Sequence, residues 1–239
     1  MKETNLDAIK STARTLLYVD ITETEFPFCL IHPFLNNRYM SFSNKDRQLV
    51  DILESDENLQ KARDFFEKKI NEADDIWRIL MYMHIPYRPL LFKLCANDLS
   101  DEDYAQMLVE VWTGTENPNQ DANVKITEWI RFFKKAKKDL LMTEEELNVY
   151  NSLSDTEPIE IYRGVGHGRE PYGLSWTANT TTAQWFANRW NNQDAYMFKT
   201  TCKKTDILAY FNCRGEDELV VNIKNLDKSK MERIDLNGG

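Results

Sequence analysis

The chain has 239 residues with 39 acidic and 30 basic side chains, a formal charge of −9. That length suits one large domain or two small ones, and bulk electrostatics do not draw such a chain to nucleic acid or to an anionic membrane. No run of about 18 apolar residues exists to span a bilayer, and the polar start at Met1-Lys2-Glu3-Thr4 carries no apolar core of a secretory signal, so a cytoplasmic protein is expected.

Four cysteines, Cys29, Cys95, Cys202 and Cys213, are scattered without Cys-x-x-Cys or Cys/His spacing, which gives no metal site. Cys202 and Cys213 fall on neighbouring predicted strands, yet free thiols are the expectation for all four.

In chain order, residues 1 to about 45 are mixed. Leu16 to Ile21 reads as a short strand, and Phe26-Pro27-Phe28 with His32-Pro33-Phe34 as an extended, proline-punctuated segment. From Lys45 to about Met83 the period turns helical, with Leu49, Ile52 and Leu53, then Leu59, Ala62, Phe65, Phe66 and Ile70. Ile85-Pro86-Tyr87-Arg88-Pro89 breaks that run. Ser100 followed by Asp103 predicts a helix start, with Tyr104, Met107, Leu108 and Val111 on one face. Residues 113–123 form a polar loop. Ile126, Trp129, Ile130 and Phe133 mark a further amphipathic helix, and Thr143-x-x-Glu146 is a capping box for the next.

Near Asp155-Thr156-Glu157-Pro158 the composition shifts. Strands are predicted over 159–163, 174–177, 196–201, 206–211, 218–224 and 231–236. A helix over 181–190 interrupts them, with Ala183, Phe186, Ala187 and Trp190 inward. Asn237-Gly238-Gly239 should fray. The expected fold is α+β: a mainly helical region over 1–150 backing a mostly antiparallel core over 151–239.

Three of these strands carry polar residues where apolar ones would pack better. Strand alternation points Ile159, Ile161 and Arg163 the same way, so Arg163 needs an anion, either a carboxylate in a structural ion pair or a phosphate. Gly164, Gly166 and Gly168 allow close approach of a ligand to the backbone. Ser175 and Thr177 share one face with Trp176 opposite, and lead directly into a helix start at Asn179-Thr180, which favours nearby negative charge. Glu216 and Glu218 are two apart at a strand entrance and crowd each other unless a cation intervenes; the plainer reading is a solvated turn. His167 reads as a loop residue. Arg131-x-x-Lys134-Lys135-x-Lys137-Lys138 reads as a solvated basic face in preference to a phosphate-binding or nucleic-acid patch.

Tyr162-Arg163-Gly164, Ser175-Trp176-Thr177 followed by Ala183-Gln184-Trp185-Phe186-Ala187, and Glu216-Asp217-Glu218 stand in one order. In this the chain resembles the mono-ADP-ribosyltransferase superfamily, the branch with an Arg / Ser-x-Ser-or-Thr / Glu-x-Glu signature. The resemblance covers about 155–226, and 144–150 also looks family-like. One departure is Trp176, where threonine is common; it points to the opposite face and should be tolerated.

The resemblance implies an ADP-ribosyltransferase-like core that binds NAD as co-substrate, without metal. Arg163 would contact the phosphate-ribose portion of NAD, and the Gly164 backbone the nicotinamide amide. Ser175 would orient the nicotinamide ribose and the glutamate. Thr177 and Phe186 would complete the NAD-binding set; Phe186 or Trp185 would stack on nicotinamide, though the plainer reading of Phe186 is core. Glu218 would bond the ribose 2′-hydroxyl and stabilise the oxocarbenium-like state, and Glu216 would activate the acceptor. The acceptor would be a macromolecule, a protein arginine by the usual meaning of Glu-x-Glu in that superfamily, with nucleic acid open. A bacterial or phage-type toxin or effector fits, and an inhibitory partner protein stays open. The rival readings are an NAD glycohydrolase of the same fold and a non-enzymatic interaction protein.

Overall fold

The computed structural model describes residues 2–42, 48–189 and 194–236. The chain divides into two compact units, Met1–Glu116 and Asn117–Gly239.

The first unit opens with α1 (Leu6–Leu17), capped by Asn5, whose side chain accepts from the Ala8 N–H at 3.2 Å. Leu16 and Leu17 close this helix, so the strand expected from Leu16 is overturned. Ile9, Ala13, Leu16 and Leu17 fall at spacings of three and four and bury one face of a helix, and that stripe outweighs the local apolar run. Two short antiparallel ladders follow, β1 (Thr22–Glu23) with β2 (Leu30–Ile31), and β3 (Tyr39–Met40) with β4 (Val50–Asp51).

The helix expected from Lys45 starts later, as α2 (Asp56–Glu72). Ser55 caps it by accepting from the Asn58 N–H at 3.2 Å. Val50 is on a strand, and Lys45 lies outside the described residues. Asp75 caps α3 (Ile76–Tyr82). The proline-marked break is a single 3-10 turn, Ile85–Tyr87, after which α4 (Arg88–Cys95) forms with Pro89 in its first turn, where a missing N–H costs nothing. Ser100 accepts from Asp103 N at 3.0 Å and starts α5 (Asp101–Gly114), which buries Tyr104, Met107, Leu108 and Val111 as their spacing required.

The second unit begins with the short turn Pro118–Gln120 and three helices, α6 (Ile126–Lys135), α7 (Lys138–Leu141) and α8 (Glu144–Ser152). The capping box of α8 is present: Thr143 Oγ1 accepts from Glu146 N, and Glu146 Oε2 accepts from Thr143 N at 3.0 Å. Six strands then build one antiparallel sheet: β5 (Ile159–Val165), β6 (Ser175–Thr177), β7 (Tyr196–Cys202), β8 (Ile207–Phe211), β9 (Glu218–Val221) and β10 (Glu232–Asp235). Their order across the sheet is β10-β7-β5-β6-β9-β8. A helix, α9 (Thr180–Asn188), follows β6 and buries Ala183 and Ala187. Phe186 is only half-buried, Trp190 lies outside the described residues, and so do Asn237, Gly238 and Gly239.

The architecture is thus α+β, a helical N-terminal half and a C-terminal six-stranded antiparallel sheet packed with helices. Within the sheet the ladders are unequal. β5 and β7 run together for seven pairs, from Ile159 opposite Cys202 to Val165 opposite Tyr196. β5 and β6 share a single pair, Tyr162 opposite Thr177. β6 then pairs with β9 through Ser175–Val220, Trp176–Leu219 and Thr177–Glu218. The sheet is two triplets of strands, β10-β7-β5 and β6-β9-β8, meeting at a narrow seam.

The four cysteines are free thiols, Cys95 and Cys202 buried. No helix among the described residues is long and apolar enough to cross a membrane.

Candidate functional site at the seam of the sheet

The polar residues singled out by the sequence collect at this seam. Arg163 comes from β5 and is buried. With so little ladder between β5 and β6, its side chain takes over the joining. Nη1 donates to the carbonyl of Ser175 at 2.6 Å, Nη2 to that of Glu170 at 2.7 Å, and Nε to that of Pro171 at 3.2 Å.

The guanidinium thus meets three neutral carbonyls where a carboxylate or phosphate partner was expected. A rigid planar fork can satisfy a tight loop of carbonyls as readily as an anion. Burial lowers the Arg163 pKa to about 10, and the carboxylates of Glu170 and Glu218 pull it back up. It stays charged at neutral pH.

Ser175 and Glu218 are in direct contact: Ser175 Oγ donates to Glu218 Oε1. Register explains the pairing. Thr177 stands opposite Glu218 and Val220 opposite Ser175, so the bond crosses diagonally between β6 and β9. Glu218 and Thr177 are both buried, and Thr177 Oγ1 accepts from Asn179 N at 3.0 Å, which starts α9. Trp176 alternates to the other face, is buried opposite Leu219, and donates its indole N–H to the Gly173 carbonyl at 2.9 Å.

Two glycines are required by close approach. A Cβ on Gly164 would sit 2.0 Å from the Ala183 carbonyl oxygen and 2.6 Å from Ala187 N, so glycine lets α9 lie directly on β5. A Cβ on Gly173 would sit 2.4 Å from Arg163 Nη2. The loop carrying Gly173 is closed over the guanidinium.

Glu216 does not join Ser175 and Glu218 on the strand. It lies in the preceding turn, paired with Arg214 at 3.3 Å, and the intervening Asp217 has φ 48. That left-handed residue breaks the two-residue alternation that would have set both glutamates on one face, and Arg214 supplies the cation. The turn is braced from two sides. Tyr210 OH donates to Asp217 Oδ1 at 2.7 Å, and Asn212 N donates to Glu146 Oε1 at 2.7 Å, so the capping glutamate of α8 also holds the approach to β9.

Phe186 sits on α9 with its ring edge-on to Trp185, centroids 4.9 Å apart. His167 is exposed in the loop after β5. The basic run 131–138 divides: Lys138 reaches the Tyr150 hydroxyl and the Ile207 carbonyl, whereas Arg131 and Lys134 are exposed. A cavity of about 490 Å3 lies beside the turn, lined by Asn179, Asp217 and Leu219 among others, but by neither Ser175 nor Glu218. Among the described residues no group of His, Cys, Asp and Glu could hold a metal ion.

Sequence reasoning missed Asn119, Gln120, Glu146 and Asp217 as parts of this site. Only Glu146 carried a signal, its capping box, and that spoke for the helix alone. Compared with known proteins, the chain matches no family model, no curated protein and no solved structure.

Proposed function

We propose that the protein is an NAD-dependent mono-ADP-ribosyltransferase of an ADP-ribosyltransferase-like fold, which moves ADP-ribose to a macromolecular acceptor and releases nicotinamide. One observation carries this reading: a buried glutamate at the start of β9 accepts from the serine of β6, whose carbonyl is held by a buried arginine of β5. The three residues come from three strands in the order of the sequence signature.

The chemistry follows from the groups. Cleavage of the C1′–N bond sends the bonding pair to nicotinamide, which leaves neutral and needs no acid. Positive charge develops on the ribose, where a water-poor carboxylate is worth most in the transition state. Ser175 holds Glu218 through Oε1, and this carboxylate would bond a ribose hydroxyl. The guanidinium of Arg163 has five N–H donors and spends three on carbonyls, so two remain for the diphosphate. The acceptor nucleophile then bonds to C1′ and gives up its proton, for which Glu216, two residues before Glu218 and paired with Arg214, is the candidate base.

Purified protein incubated with NAD and a cell extract tests the reading. Glu218→Gln should lower nicotinamide release by roughly 10²–10³-fold with the fold intact. Retained release in that variant sinks the assignment. Free ADP-ribose with no labelled macromolecule would make the enzyme a glycohydrolase.

A further inference from the structure

The loop between β5 and β6 is held from a place the strand pattern does not include. Leu174 N donates to Asn119 Oδ1 at 2.6 Å. Gln120 uses both ends of its amide: Nε2 donates to the Gly168 carbonyl at 3.0 Å, and Oε1 accepts from Glu170 N at 3.1 Å. The Asn119 side chain also closes on Gly173, whose Cβ would lie 2.7 Å from Asn119 Cγ. The segment is itself anchored, because the buried Trp129 of α6 donates its indole N–H to the Pro118 carbonyl at 2.9 Å.

We propose that Asn119 and Gln120 are positioning residues for the Ser175–Glu218 pair. The bonded backbone groups, Gly168 O and Glu170 N at one end and Leu174 N at the other, flank those Arg163 and Trp176 use, Glu170 O, Pro171 O and Gly173 O. Arg163 grips the middle of the loop; the 117–120 turn grips its two ends. Leu174 is the residue before Ser175, and its carbonyl accepts from Val221 N at 2.7 Å, so the Asn119 bond ends where β6 begins to pair with β9. Without it the entry to β6 is free to drift, and the serine hydroxyl with it. The catalytic consequence rests on the transferase reading; the ordering of the loop does not.

The full chain is compared with Asn119→Ala, Asn119→Asp and Gln120→Ala by hydrogen exchange and by nicotinamide release from NAD. Asn119→Ala should raise exchange across 168–175 at least tenfold while 196–202 stays as in the parent, and should lower kcat about tenfold with KM for NAD little changed. Asn119→Asp keeps the oxygen acceptor and should return both to within about twofold. Gln120→Ala should loosen 168–170 with the smaller loss of kcat.

Unchanged exchange at 168–175 in Asn119→Ala overturns the clamp. Raised exchange with parental kcat overturns its role in positioning. A parent protein that releases no nicotinamide removes the transferase reading and the catalytic half of this inference with it, while exchange alone then decides the clamp.

Discussion

The two compact units solve different problems. Residues 1–116 hold 13 basic and 21 acidic side chains, residues 117–239 hold 17 and 18, so almost all of the net charge belongs to the first. Burial runs the other way. Among the described residues, the buried polar or charged side chains of the second unit are Glu146, Arg163, Thr177, Thr200, Glu218 and Asn222, against His32 alone in the first. Removing an arginine and two carboxylates from water costs several kcal/mol apiece before partners are found, so a unit built for stability alone would fill those places with leucine. The helical unit keeps a core with one buried polar side chain among the described residues; the sheet unit buries an arginine and two acidic side chains, with Arg163 and Glu218 at the seam.

The sharpest way to break that contrast is to remove the central cation. Arg163→Ala orphans three half-buried carbonyls and should destabilise the second unit by about 3 kcal/mol, read as lost exchange protection over 159–177 with the first unit's protection unchanged. A loss below about 1 kcal/mol would mean that water replaces the guanidinium, and that the seam is wet.

His32 gives the first unit a weakness the second lacks. Its Nδ1 accepts from the N–H groups of Phe34 and Leu35, and burial, with Arg63 nearby, lowers its pKa to about 4. The folded unit therefore holds the ring neutral, while the unfolded chain binds a proton below about 6.5. Stability falls as pH drops from about 6.5 to about 4 and levels off below, by up to roughly 3 kcal/mol. Denaturant unfolding at pH 7 and pH 4.5 measures it, and His32→Asn, which retains an acceptor, should flatten the dependence. A first unit equally stable at both values would contradict the buried neutral ring.

The smallest effect is at Asp217. Glycine there relieves the left-handed backbone but loses the bond from Tyr210, so Asp217→Gly should shift stability by less than about 1 kcal/mol. A larger loss would show that the carboxylate, more than the backbone, holds the turn.

These contrasts also mark what was legible in the sequence. All six strands of the sheet start within one residue of their predicted positions, because two-residue alternation marks them, whereas the meeting of Ser175 and Glu218 was implied by the resemblance alone. The 218–224 strand gives way after Val221 to a 3-10 turn at Ile223–Asn225. In the first unit α1 was hidden by Leu16 to Ile21, whose β-branched end outweighs in any short window the wider stripe from Ile9. The start of α2 was set by Ser55, a cap ten residues inside the apolar run that suggested Lys45. Asn119 and Gln120 could not have been found, since their partners are backbone groups about 50 residues on, and no side-chain pattern reports a backbone partner.

The lone register pair between Tyr162 and Thr177 has a mechanical corollary. A continuous ladder resists shear with every rung, whereas here one backbone pair is supplemented by the guanidinium with its carbonyls and by α9 lying on β5. Any parting of the two triplets would have to exchange Arg163 bonds together with that single pair. A phosphate-bearing guest drawn to the guanidinium's other N–H groups would pull on the same side chain that joins the triplets.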